Sequence, residues 1–291
     1  MTDLTRDFVK AKRPCAEGFR WFLRTHQAGG DYQPVLDALV RDGRVDDACW
    51  LLDQFGPTDA VLVVDAIEAE AVVFAGSLEV RGPIEVDSIV RAGRSIRAGG
   101  GIRAGRAIVA GEDLRADGAV RSAGTLEVGG DIRTACGIEV DGALRCGGST
   151  RVEWDLVCGG PLALADDVRI GGTLEARDKV ACGKSLRVGG RIDSSGDVRV
   201  AHGIETGDAI RCEAHLEAGW GIRARGLIVA GGAIRAGESL LAEDEIQAGD
   251  GYGVYAGLVV HCEAWEVSAQ VRARVHPERL MSGWWAGDGP V

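Results

Sequence analysis

The most regularly spaced residues able to do chemistry in this 291-residue chain are arginines: Arg97, Arg115, Arg133, Arg151, Arg169 and Arg187 recur every eighteen residues. A guanidinium stays charged at neutral pH, and its planar fork grips a carboxylate or phosphate through two parallel hydrogen bonds. The chemistry on offer is recognition. His26, His202, His215, His261 and His276 stand at no metal-ligand spacing with one another or with a Cys-x-x-Cys pair, a motif the eight cysteines do not form. Nucleophile elbow, phosphate loop and His-Glu-x-x-His are absent, so no catalytic residue, cofactor or metal is expected. Trp154 and Trp220 join the arginines as candidate partner-binding residues, because aromatic anchors dominate protein interfaces.

Elements that present one residue every eighteen must themselves repeat. From Leu78, steps of six meet Ile84, Val90, Ile96, Ile102, Ile108 and Leu114, and the series runs on without insertion to Ile246; Thr150 is its one polar member. Two residues after each large position lies a smaller one, as in Ala98, Ala104, Val128, Val140 and Cys146. A spacing of two is the strand period, so each hexad is a short strand with one large and one small inward residue. Glycines cluster just after the small position (Gly99, Gly100, Gly129, Gly130, Gly147, Gly148), where the chain turns a corner and positive φ is expected. Three hexads close a triangular turn, and turns stack at about 4.8 Å. The fold expected is mainly β: a parallel three-sided β-helix of about ten turns and on the order of 50 Å. Its small inward column suits a chain with 44 Gly and only 5% aromatic residues. Cys146, Cys158, Cys182 and Cys212 fall in that column and read as small hydrophobes.

The large-x-small order, as in Leu126-Glu127-Val128-Gly129-Gly130-Asp131-Ile132, resembles the repeats of bactofilins, polymer-forming cytoskeletal proteins with a right-handed β-helix. The resemblance covers roughly residues 78–248 and is one of repeat pattern. The left-handed hexapeptide acyltransferases have a similar repeat, but their small inward residue stands two before the large one. The order here is the opposite, so right-handed coiling is expected. Such an acyltransferase also needs a catalytic His where coils meet and long cofactor-binding loops; His202 and His215 lie at corners, but the unbroken phase leaves no loop around them.

Counting in eighteens separates the three outward faces. One reads Glu79, the six arginines, Glu205 and Arg223, whereas the others mix signs and apolar residues. Stacked like charges destabilise a sheet, and Asp113, Asp131 and Asp167, two residues before their arginines, are expected to neutralise the column in part. Two readings stand: a self-compensated, solvated face, or a preorganised Arg stripe for an acidic protein surface or a phosphate-bearing polymer.

Residues 1–60 carry apolar residues at helical spacing around Trp21, Phe22 and Trp50, which predicts two or three short helices capping the solenoid. The stretch from Cys15 to Leu23 resembles small helical modules of phage-encoded and toxin-associated bacterial proteins. The solenoid is expected over 61–260, and a tail over 261–291 in which Trp284-Trp285 either plugs the last turn or anchors a partner. A net charge of −11 argues against nucleic acid and for a basic partner. The chain shows neither a leader-like N-terminus nor an apolar run of ~18 residues, and its cysteines suit reduced thiols, so a cytoplasmic location without membrane contact is expected. Three functions follow in order. The first is a non-enzymatic solenoid that binds and blocks another protein, most concretely an immunity-type inhibitor of a basic toxin domain. The second is a self-associating, bactofilin-like polymer. The third is an acyltransferase-like enzyme.

Overall fold

Each hexad forms a strand of three or four residues, and the strands assemble into three parallel sheets of 11, 12 and 13 strands. The computed structural model describes residues 3–26, 30–260 and 264–288. Strand pairs such as Leu114–Ala116 on Ile132–Thr134 are separated by eighteen residues, so every inward residue sits on its counterpart one coil away. About twelve coils result, two more than the count in sixes gives. The difference lies at the ends. Leu62 pairs with Leu78 and Ile67 with Ile84, so the first coil advances by fewer than eighteen residues. Beyond Ile246, longer connections separate Val254–Tyr255, Gln270–Arg272, Leu280–Ser282 and Trp284–Trp285, which still add strands to the 12- and 13-stranded sheets.

The large column is dry: Leu78, Ile96, Ile108, Leu126, Ile132 and Leu144 are all fully buried. Glycine at the corners has a reason other than the one expected. Positive φ occurs at Gly43, Gly56, Gly251, Gly257, Gly283 and Gly287, none of them a corner of the regular repeat. What the corners require is close approach between coils, since a Cβ on Gly111 would lie 2.1 Å from the carbonyl oxygen of Gly93.

The small column carries a polar task as well as a packing one. The Cys146 thiol donates to the Gly130 and Gly148 carbonyls at 3.1 and 3.3 Å, and Cys212 donates to Gly196 at 3.1 Å. Ser122 and Ser194 occupy the same column and donate to Thr125 and Gly196 at 2.9 and 3.1 Å. The inward thiols are therefore donors to corner carbonyls, not merely small hydrophobes. Desolvation pushes the thiols of Cys49, Cys146, Cys158, Cys182 and Cys212 above their ordinary range. Fewer thiolates then exist in the folded state at pH 8, so among the described cysteines alkylation should be fast only at exposed Cys15 and half-exposed Cys136, the rest reacting after denaturation. Their contribution to stability is complete below the unfolded thiol pKa of about 8.5 and is lost as pH rises through the folded values. Mass spectrometry of alkylated peptides and melts between pH 7 and 10 read both effects.

Thr150 breaks the apolar column at 1% exposure, and its hydroxyl makes no hydrogen bond of normal geometry among the described residues. Thr150→Val keeps the shape and removes the orphaned group. It should stabilise the rod by about 1–3 kcal/mol in denaturant titration.

Four helices precede the solenoid: α1 (Arg6–Ala11), α2 (Ala16–Thr25), α3 (Tyr32–Arg41) and α4 (Val45–Phe55). Their apolar stripes bury Trp21, Phe22, Leu36, Leu39, Leu51 and Leu52. The module does not lie across the end of the rod as a cap would. It packs against the outer side of the 12-stranded sheet, on Val73, Ile89, Ala107 and Val109. Arg91 pairs with Asp53 and Arg106 with Asp46 at this seam. Gln33 reaches the edge strand, donating to Val73 O at 3.1 Å and accepting from Ala75 N at 2.8 Å. At the other end Trp285 stacks on Val271 and packs against the core, as a plug does, while Trp284 remains 38% exposed. Among the described residues no helix is long and apolar enough to cross a membrane.

Candidate partner-binding face

The 13-stranded sheet sets the arginines in one column. Arg97, Arg115, Arg133, Arg151, Arg169 and Arg187 pair in register coil upon coil, with Glu79 before them and Glu205 and Arg223 after. Five rises between six arginines make a stripe of about 24 Å. Each of these side chains is exposed, because the outward position of a three-residue strand has no neighbour but the coils above and below.

The column is neutralised by different carboxylates from those expected. Asp131 does pair with Arg133 at 3.1 Å. Asp113 and Asp167 instead accept the backbone N–H of Asp131 and Ser185, one coil on, at 2.9 and 3.3 Å. Asp155 and Asp197 do the same for Thr173 and His215, so a corner carboxylate commonly caps the next coil. Countercharge comes from Glu79 to Arg97 at 3.8 Å, Asp117 to Arg115 at 3.6 Å, Glu153 to Arg151 at 2.7 Å and Glu205 to Arg187 at 3.5 Å. Among the described residues Arg169 has no ion-pair partner. Its flanking corner is Gly171-Gly172, which supplies no side chain to pair with it, so Arg169 is where the column's charge is least compensated. The pairs are solvent-exposed and individually weak, and leave the forks free to exchange partners.

Both tryptophans border this face. Trp154 stands on the corner where the 13-stranded sheet passes to the 11-stranded one, 64% exposed. Trp220 stands on the opposite corner, 43% exposed, its ring stacked on His202 at 4.2 Å with the planes 3° apart. Arg151 and Arg223, beside them, are four coils apart, which separates the two anchors by about 19 Å along the rod. Next to Trp220 a cleft of about 220 Å³ is lined by Arg187, Glu205, Arg223 and Leu241. The structure places the six arginines in one column and the two tryptophans at its corners, as their positions in the sequence suggest; the His202 stack and Leu241 are not anticipated, although both are reached by counting eighteen from Trp220 and Arg223.

Three other histidines pack against aromatic rings or bond to the backbone. His26 lies against Trp21 and Phe22, His276 against Trp285, and His215 accepts the N–H of Ala233 at Nδ1, 3.0 Å away, which is half-buried work and not that of a solvated corner. His261 lies outside the described residues. A larger hollow of about 750 Å³ on the 12-stranded sheet, floored by Ala163 and Ala181 between Arg145 and Arg199, is shallow; its titratable groups are the rim pairs Arg145–Glu127 and Arg199–Glu217 and the inward, buried thiols of Cys146 and Cys182.

These features define a class: a three-sided parallel β-solenoid that bears a helical module on its flank and one arginine-rich face. A family model, the YdhT N-terminal domain, matches residues 1–55, the segment that holds the four helices. No curated protein and no solved structure matches the chain.

Proposed function

We propose that this chain is a non-enzymatic protein-binding solenoid that occupies another protein with its arginine face, in its most concrete form an immunity-type inhibitor that blocks a toxin domain. The observation that carries this reading is the in-register column of six arginines bordered by Trp154 and Trp220. A rigid, flat row of forks is preorganised for carboxylates, and the two indoles supply the apolar anchors that charge alone lacks. The net charge of −11 acts at longer range and draws in a body that is basic overall, such as a basic toxin domain, rather than nucleic acid. All seven described cysteines are free thiols, which suits a reducing compartment such as the cytoplasm.

Charge reversal of Arg133, Arg151 and Arg169 to Glu tests the reading. The variant should keep its melting temperature within a few degrees and lose at least about tenfold in affinity for a partner captured by the wild-type protein, as solvent-exposed residues touch function without touching the core. Equal affinity would remove the face from the account. The open first coil favours one alternative, a bactofilin-like polymer growing end to end. Light scattering across a wide concentration range, with negative-stain microscopy, separates the two: a particle of one or two chains fits the binder, and filaments fit the polymer.

A further inference from the structure

Partly buried apolar residues lie at both ends of the rod, and the ends differ in how their strand edges are covered. At the C-terminal end Trp285 and Leu280 pack on the last core residues. At the N-terminal end Leu62, Val64, Ile67 and Val72 remain only partly buried, while Leu78, Ile84 and Val90 directly behind them are fully buried. The helical module ties off the 12-stranded sheet alone, through Gln33. Strands Val61–Val64 and Ile67–Ala69 are the terminal strands of the other two sheets. Ala60 and Val64 accept the N–H groups of Ser77 and Arg81 at 2.9 and 3.0 Å, and Ile67 donates to Pro83 O at 3.1 Å. Alternate residues of a parallel strand bond to opposite sides, so the N–H and C=O of Val61, Val63 and Glu68 face off the end of the rod.

The charge on this edge is unbalanced in one direction. Glu68 pairs in register with Glu85, like against like, whereas Glu85 meets Arg103 on its other side. Among the described residues neither glutamate has a cation within ion-pair distance, and Glu70 stands exposed beside them. Stacked carboxylates cost stability unless a cation joins them. We propose that the first coil is a strand-addition site for an extended segment of a partner protein that alternates apolar and basic residues. Its main chain, bent at one residue to follow the corner at Asp65-Ala66, takes up the free N–H and C=O groups, its apolar residues cover Leu62 and Ile67, and a Lys or Arg falls opposite Glu68 as Arg103 falls opposite Glu85. A second copy stacked head to head is a poor occupant, because it would bring its own Glu68 and Glu70 against these; one stacked head to tail, as in an end-to-end polymer, would have to meet this edge with the coil that Leu280 and Trp285 cover.

The test uses full-length protein and a fluorescent decapeptide alternating valine and lysine, followed by anisotropy, with a valine–glutamate decapeptide as control. The lysine peptide should bind and the glutamate peptide should not. Val63→Pro removes an outward N–H without breaking a bond to the second coil, and Glu68→Lys removes the counterion from an exposed position; each should weaken binding at least about tenfold with unchanged circular dichroism. Absence of binding by the wild-type protein, or wild-type affinity in both variants, overturns the proposal. A wild-type dimer in sedimentation that Val63→Pro dissociates also overturns it, by making a second copy the occupant.

Discussion

Replacing Ile132 by Asp should abolish cooperative melting of the middle of the rod or lower its midpoint by about 10 °C or more. Ile132 is fully buried, stacked between Leu114 and Thr150 in the 13-stranded sheet. A carboxylate there has no cation to answer it and at most one neutral donor, the Thr150 hydroxyl, and either its ionised or its protonated form costs several kcal/mol in a dry core. Coils touch only their neighbours, so a broken middle coil costs both halves an interface. Circular dichroism melts and hydrogen exchange of the flanking strands read the loss. Unchanged melting would mean that residue 132 does not point inward.

An isoleucine one position out of phase should behave in the opposite way. Ile89 immediately precedes the inward Val90, is itself 5% exposed, and is buried by the helical module and not by the solenoid core. Ile89→Asp places an unpaired charge in the seam between the helices and the 12-stranded sheet, at a cost of several kcal/mol that falls on docking alone. The expected result is a chain whose helices exchange amide hydrogens and are cut by protease quickly, while strands from Ile96 onward keep wild-type protection. Loss of the whole fold in one step would show instead that the module and the rod form a single cooperative unit.

That contrast also marks what could be read from the sequence. The six-step series from Leu78 to Ile246 carries the coil and the three faces, because an inward residue that must stack on its counterpart tolerates neither insertion nor polarity. The arginine column is legible for the same reason: register turns a spacing of eighteen into adjacency. The docking of the helices was not legible from their own stripes, which say only that a face is buried. Its signature lies elsewhere, in apolar residues at outward positions of the first coils, Val73 and Val109, where later coils carry Glu127, Arg145 and Arg199. Two of the three expected countercharges, Asp113 and Asp167, were misassigned because corner aspartates have a competing use, the N–H of the next coil, and backbone capping leaves no trace in composition; Asp131 does pair with Arg133. The corner glycines were given the wrong reason for a related cause: the crowding at Gly111 comes from a residue eighteen positions away and not from its own φ.

The unbroken register has a consequence for how such a chain can change its length. Adding or removing one residue turns the core outward, and six residues restore the core but rotate everything beyond them by one face. Only a block of eighteen leaves both interior and surface as they were. Selection for folding alone would therefore permit duplications of a hexad, and these would scatter the arginines over three sides. The column held on one side from Arg97 to Arg187 therefore survives only changes of length made in whole coils.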